Sequence, residues 1–188
     1  VPRKKKTEPE APVEPVVQDE VTGEADGGVA EVVSVAALTQ VIVFVMDGQH
    51  YALPIEAVQE IQQIVDYTRA RGTDPALLGM VDLRGMVVPL IDLRMLLGLN
   101  VAPYHLDTPL IFAFIRDRLV ALIVDEVEDV IDLTGQELQA PSNLYALADR
   151  LTGVVRMGDA LLFVLDPYRL VSAETLAEGT KSKKGAAK

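Results

Sequence analysis

Apolar residues dominate the run from Leu78 to Leu99, LGMVDLRGMVVPLIDLRMLLGL, with polar breaks at Asp82, Arg84-Gly85 and Asp92. The pattern predicts two short strands joined through Arg84-Gly85, then a helical turn opening near Asp92 and ending at Gly98, a natural C-cap. A related run, TGVVRMGDALLFVLDPYRLV, spans Thr152 to Val171, a shift of 74 residues. Laid together without a gap, Gly79 falls on Gly153, Val81 on Val155, Asp92 on Asp166 and Leu96 on Leu170. Arg84 falls on Gly158. An arginine carried by one copy of a repeat is not a requirement of the repeated fold, so Arg84 is the first functional candidate.

A second echo lies upstream. Val41 to Ile61, VIVFVMDGQHYALPIEAVQEI, aligns at a shift of 69 with Leu110 to Val130, LIFAFIRDRLVALIVDEVEDV. Each half therefore holds a strand, a tight hairpin, a return strand, an acidic segment and the later G-x-V hairpin. The period is too long and the copies too few for a solenoid. Two similar subdomains packed by pseudo-twofold symmetry are expected, with their boundary near 100–108.

Val41 to Met46 is apolar on both faces, the mark of a strand covered on both sides. Asp47-Gly48 supplies a two-residue hairpin turn, and Pro54 places the end of the return strand at an edge. Ala57 to Val65 is ambiguous. Ile55, Val58, Ile61 and Val65 have helical spacing, but the β-branched content favours a brief turn followed by a strand. On that strand Val58, Glu60 and Gln62 share one face. Val58 is then either part of a partner-facing edge or ordinary core. Strands are expected at about Leu110–Arg116 and Leu119–Val124. Pro167 is expected in the first turn of a C-terminal helix ending near Ala177.

Composition changes the picture at the ends and on the surface. Residues 1–37 combine a basic Arg3-Lys4-Lys5-Lys6 with a stretch rich in Pro, Glu, Val, Gly and Ala, and are expected as a disordered tail. Residues 178–188 read as a basic C-terminal tail, leaving 38–177 as the folded part. The net charge is −11, and residues 38–176 carry nine arginines against nineteen Asp and Glu. Such a surface repels nucleic acid phosphates and anionic lipid, and is compatible with protein partners. There is no cysteine, hence no disulfide framework and no thiolate metal site. No apolar run reaches the length of a membrane span, and the basic, then Pro/Glu-rich N-terminal stretch has no apolar core like that of a secretory signal. A cytoplasmic protein without direct membrane insertion is expected.

Catalytic patterns are missing from the sequence. The two histidines, His50 and His105, show no metal-ligand spacing. There is no nucleophile elbow, no phosphate-cradling glycine loop and no dinucleotide fingerprint. Asp92 and Asp166 recur where a helical turn opens, and N-capping is their expected role. No enzyme, cofactor or metal is expected.

The assembled pieces resemble the CheW family of bacterial chemotaxis adaptors over about Gln40 to Ser172. The carriers are the D-G turn with Y-A-L-P-I, V-Q-E-I at Val58–Ile61, and G-M-V-D-L-R-G at Gly79–Gly85. V-V-P-L-I-D-L-R at Val87–Arg94, V-D-E-V at Val124–Val127 and L-T-G-V at Leu151–Val154 complete the set. The resemblance implies a mainly β protein of two pseudo-symmetric five-stranded SH3-like β-barrel subdomains with a short C-terminal helix. It implies a non-catalytic adaptor that couples the cytoplasmic tip of a methyl-accepting chemoreceptor to a CheA-type histidine kinase. Val58, Glu60, Gly79, Arg84 and Val127 match the family's receptor-binding positions, and no motif marks the kinase contacts. Asp82 stands where the family usually has Asn. On a strand it shares a face with Arg84, so the two can pair or Asp82 can alter receptor preference. The alternatives are a CheW-like regulatory module of another chemosensory or surface-motility pathway, and a small β-barrel ligand-binding module.

Overall fold

The computed structural model describes residues 40–70, 74–141 and 147–181. The expected N-terminal tail, and the C-terminal one beyond residue 181, lie outside them. The strands in chain order are β1 (Gln40–Met46), β2 (Gln49–Pro54), β3 (Val58–Gln63), β4 (Tyr67–Arg69), β5 (Leu77–Leu83) and β6 (Met86–Asp92). They continue with β7 (Pro109–Ile115), β8 (Arg118–Ile123), β9 (Glu126–Asp132), β10 (Leu151–Met157) and β11 (Ala160–Leu165). Helix α1 (Leu93–Leu97) follows β6, and α2 (Ala173–Lys181) follows β11. The protein is mainly β, as expected.

Two sheets form, and they do not divide the chain at 100–108. One has the order β10-β11-β2-β1-β9, the other β3-β7-β8-β6-β5-β4. After Pro54 a short 3-10 turn, Ile55–Ala57, carries the chain out of the first sheet. β3 then pairs antiparallel with β7. After Ile123 the chain returns, and β9 pairs antiparallel with β1. The repeat makes β3 and β9 counterparts, so each half lends its third strand to the other half's first. β6 beside β8 and β11 beside β2 are the parallel pairings, again counterparts. The pairing pattern repeats between the halves, and each sheet contains strands of both. Both exchanged strands carry the same irregularity. One extra residue is accommodated between Val58 and Glu60 in β3, and another between Val127 and Val130 in β9.

Alternation along the central strands explains why they are apolar on both faces. In β1, Ile42, Phe44 and Met46 enter a core shared by both sheets, while Val41 and Val43 enter a core private to the first sheet. In β7, Ile111, Ala113 and Ile115 enter the shared core, while Leu110 and Phe112 enter a core private to the second. The ambiguous stretch resolves as expected, a brief turn and then β3. Ile61 and Val65, half of the helical stripe, are 41% and 40% exposed.

α1 is capped as read. The Asp92 carboxylate accepts the Arg94 N–H at 2.8 Å, and Gly98 ends the helix at φ 71°. The C-terminal helix differs. Pro167 lies in a turn held by Asp166, which accepts the Tyr168 N–H at 2.8 Å. α2 starts only at Ala173, after Ser172 whose hydroxyl accepts the Thr175 N–H at 3.1 Å. A serine cap with a free run behind it outcompetes a proline whose downstream residues are already committed to a turn.

Candidate functional site

Arg84 and Gly85 form the β5–β6 turn, with φ of 50° and 86°. Positive φ at both central positions is the pattern of a type I′ hairpin turn. Arg84 is therefore a turn residue, not a strand residue, and does not share a strand face with Asp82. The Asp82 carboxylate instead accepts the Gly85 N–H at 2.9 Å and closes the turn. Arg84 reaches β3, where its guanidinium meets the Glu60 carboxylate at 2.5 Å. Gln62 donates its side-chain N–H to the other Glu60 oxygen at 2.5 Å. In the order β3-β7-β8-β6-β5-β4, strands β7 and β8 lie between β3 and the β5–β6 hairpin, and the ion pair reaches across them. The Arg84 side chain is 76% exposed and that of Glu60 only 17%. A fixed acid thus holds a displayed arginine.

The other expected residues are placed differently. Val58 is on β3 two residues before Glu60, half-buried against the shared core. Val127 packs against the same core from β9, opposite Phe44 in the other sheet. Gly79 is buried. A Cβ there would collide with the Thr68 carbonyl oxygen and stand 2.9 Å from the Tyr67 ring. Its counterpart Gly153 is also crowded, with the Leu138 side chain nearest its Cβ position and the Gln139 carbonyl oxygen 2.9 Å away. Gln139 bridges Val154 as Thr68 pairs with Met80, the same step of the repeat. Both glycines let a neighbouring backbone lie directly against the strand.

A second polar group was not singled out by the sequence reading. Arg94 of α1 donates from Nε to Asp125 at 2.6 Å, and its Nη2 engages the other oxygen of the same carboxylate. Its Nη1 donates to the Asn100 carbonyl at 2.5 Å. Asp125 also accepts the Asp47 N–H at 2.8 Å, and the Asn100 side chain donates to Asp47 at 3.1 Å. Asp47 belongs to the β1–β2 turn and Asp125 to the crossover into β9, so the cluster ties the two sheets. The Arg94 side chain is only 14% exposed. Its hydrogen bond to Asp125 raises the guanidinium pKa above the ordinary value, against the opposing pull of burial. The repeat carried the signal: the counterpart of Arg94 is Tyr168, so this arginine too occurs in one copy. Nearby, the buried Asp92 accepts the Tyr104 hydroxyl. Burial, then that hydrogen bond, pushes the phenol pKa up.

Among the described residues no group of His, Asp and Glu is placed to hold a metal ion. No helix among them is long and apolar enough to cross a membrane. The CheW-like domain family matches residues 40–175, nearly all of the described chain. The chain belongs to the CheW-like family. The chemotaxis protein CheW of Klebsiella aerogenes is 33% identical over 155 residues, covering 80% of this chain and 93% of that one. CheW of Bacillus subtilis is 33% identical over 140 residues, covering 72% and 88%. The crystal structure of the scaffolding protein TtCheW from Thermoanaerobacter tengcongensis matches with a TM-score of 0.64 at 24% identity, over 74% of this chain and 92% of that one. That likeness is one of fold, and it agrees with the two-sheet CheW-like architecture described above.

Proposed function

We propose that this CheW-like chain is a non-catalytic cytoplasmic adaptor that couples chemoreceptors to a CheA-type histidine kinase. Its two curled sheets serve as the two SH3-like barrels of that role. The observation that carries the reading is Arg84. A non-glycine residue at positive φ costs on the order of 1–2 kcal/mol, and the second repeat copy uses glycine at this place. The fold gains little from an arginine there, but a partner gains a displayed planar donor held in register by Glu60. The receptor would meet Arg84, Glu60 and Val58, with Val127 reached from the neighbouring sheet. Gly79 would act indirectly, by letting β4 lie against β5. The names of the curated relatives, chemotaxis proteins, supply the pathway.

A pull-down with purified receptor fragment, kinase and this protein tests the proposal. The expected result is a ternary complex with wild type, and retained kinase but lost receptor with Arg84→Ala. Competition between receptor and kinase for one surface would end the bridging reading. Failure of both to bind, where their own adaptor binds, would remove the pathway assignment.

A further inference from the structure

The pseudo-twofold relation sets the Arg84 end of the six-stranded sheet against its counterpart in the five-stranded one, and the two ends differ. At the first, Arg84 bridges to Glu60 on the exchanged strand. At the second, Gly158 stands in place of Arg84 and Asp129 in place of Glu60, so the acid remains while the cation is missing. Val43 replaces the larger Phe112, His50 replaces Leu119 and Ala160 replaces Met86. At this end lies a cavity of about 250 Å³, lined by residues of the five-stranded sheet. Its apolar floor is Val43, Ile131, Leu161 and Leu162. Its rim is His50, Glu128 and Asp129, with His50 Nε2 3.4 Å from a Glu128 oxygen. Met157 is 43% exposed at the opening.

We infer that this cavity takes the arginine side chain of a partner protein, supplying in trans the cation that Arg84 supplies in cis at the other end. An aliphatic stem suits the apolar floor, and a guanidinium fork suits a rim with two carboxylates. Lysine has the stem without the fork. The excess of acid over base in the folded part favours a basic occupant over an acidic one. This site is separate from the Arg84 hairpin and does not depend on what binds there.

The test titrates the full isotope-labelled chain with acetyl-leucyl-arginine amide and with the neutral citrulline analogue, following amide and methyl signals. The expected result is saturable shifts at Val43, Ile131, Leu161 and Leu162 with the arginine peptide and none with citrulline. Asp129→Asn and Glu128→Gln should each weaken binding about tenfold, the loss of one charge-assisted contact. The double variant Gly158→Arg with Asp159→Gly rebuilds the Arg-Gly turn of the first hairpin, and should fill the cavity in cis and abolish binding. If that variant misfolds, the two carboxylate variants still decide. Equal binding of citrulline, or shifts indifferent to the carboxylates, would overturn the proposal. If the peptide binds only after Arg3, Lys4, Lys5 and Lys6 are replaced by alanine, the occupant is the chain's own basic run, and the partner's arginine is overturned as well.

Discussion

The guanidinium of Arg84 and the carboxylate of Glu60 meet at 2.5 Å across the six-stranded sheet, yet they contribute unequally to the surface. Glu60 is fixed by Gln62 and mostly covered, while Arg84 stands out at a positive-φ turn position. An exposed ion pair contributes about 0–1 kcal/mol, and relief of the turn conformation offsets it. Arg84→Gly is therefore expected to unfold at the wild-type temperature or slightly above it. Receptor-fragment binding should weaken by about 1–3 kcal/mol, the effect of losing an interface anchor. A large drop in thermal midpoint would make Arg84 structural and remove it from the site.

Gly79 and Gly153 are expected to behave alike, although only Gly79 was read as a receptor position. A methyl group at Gly79 meets the Thr68 carbonyl oxygen, and one at Gly153 meets the Leu138 side chain and then the Gln139 carbonyl oxygen. Backbone cannot swing aside as a side chain can. Gly79→Ala and Gly153→Ala should each lower stability by about 1–3 kcal/mol, the usual effect of overpacking. Urea denaturation of both variants checks this. A Gly79→Ala protein of wild-type stability with receptor binding lost would restore the direct reading.

Local features of this fold were legible because their causes are local. Asp47-Gly48, the Asp92 cap and the Gly98 C-cap are each set by a few neighbouring residues, and β-branched content decided Ala57–Val65. The exchange of β3 and β9 was not legible. Which strand pairs with β7 is decided by core-filling between residues about fifty apart, and a hairpin-by-hairpin reading sees none of that. The Asp82–Arg84 pairing failed for a narrower reason. Alternation across a strand was applied to Arg84, which the turn had already removed from the strand. The one-copy criterion that found Arg84 would also have found Arg94, had Tyr168 been read as its counterpart.

Arg94 is expected to contribute to stability where Arg84 does not. Its fork engages Asp125 through two nitrogens and Asn100 through a third, with 14% of the side chain exposed. Arg94→Met would leave the Asp125 carboxylate, 27% exposed, facing Asp47 without its cation. Removing one partner of a buried pair costs about 3–5 kcal/mol. The partial exposure of Asp125 brings the expectation to about 2–3 kcal/mol by the same reasoning. Arg94→Lys should recover less than half, since one ammonium cannot hold both acceptors in place. Because the cluster joins the β1–β2 turn to the β8–β9 crossover, hydrogen exchange should quicken at both places. Quickening confined to α1 would show that the cluster caps a helix and does not tie the sheets.

Tyr104 predicts a pH dependence with a definite sign. Its phenol pKa is raised above the ordinary value of 10.0, first by burial and then by the hydrogen bond donated to Asp92. Folding therefore favours the protonated phenol. The stability linked to it is fully present below the unfolded pKa of about 10 and is lost as pH rises through the higher folded value. Tyr51, raised by burial and by Asp47, titrates in the same direction, so wild type alone cannot assign the effect. Tyr104→Phe separates them, since it keeps Tyr51 and removes the donor to Asp92. At neutral pH the variant should lose about 1.5–3 kcal/mol, the contribution of a hydrogen bond to a charged group. Above pH 10 wild type should lose stability more steeply than the variant, and the two denaturation curves should converge. Parallel curves from pH 7 to 11 would mean that the phenol gains nothing from Asp92 on folding, and that Asp92 is sustained by the Arg94 and Met95 N–H groups alone.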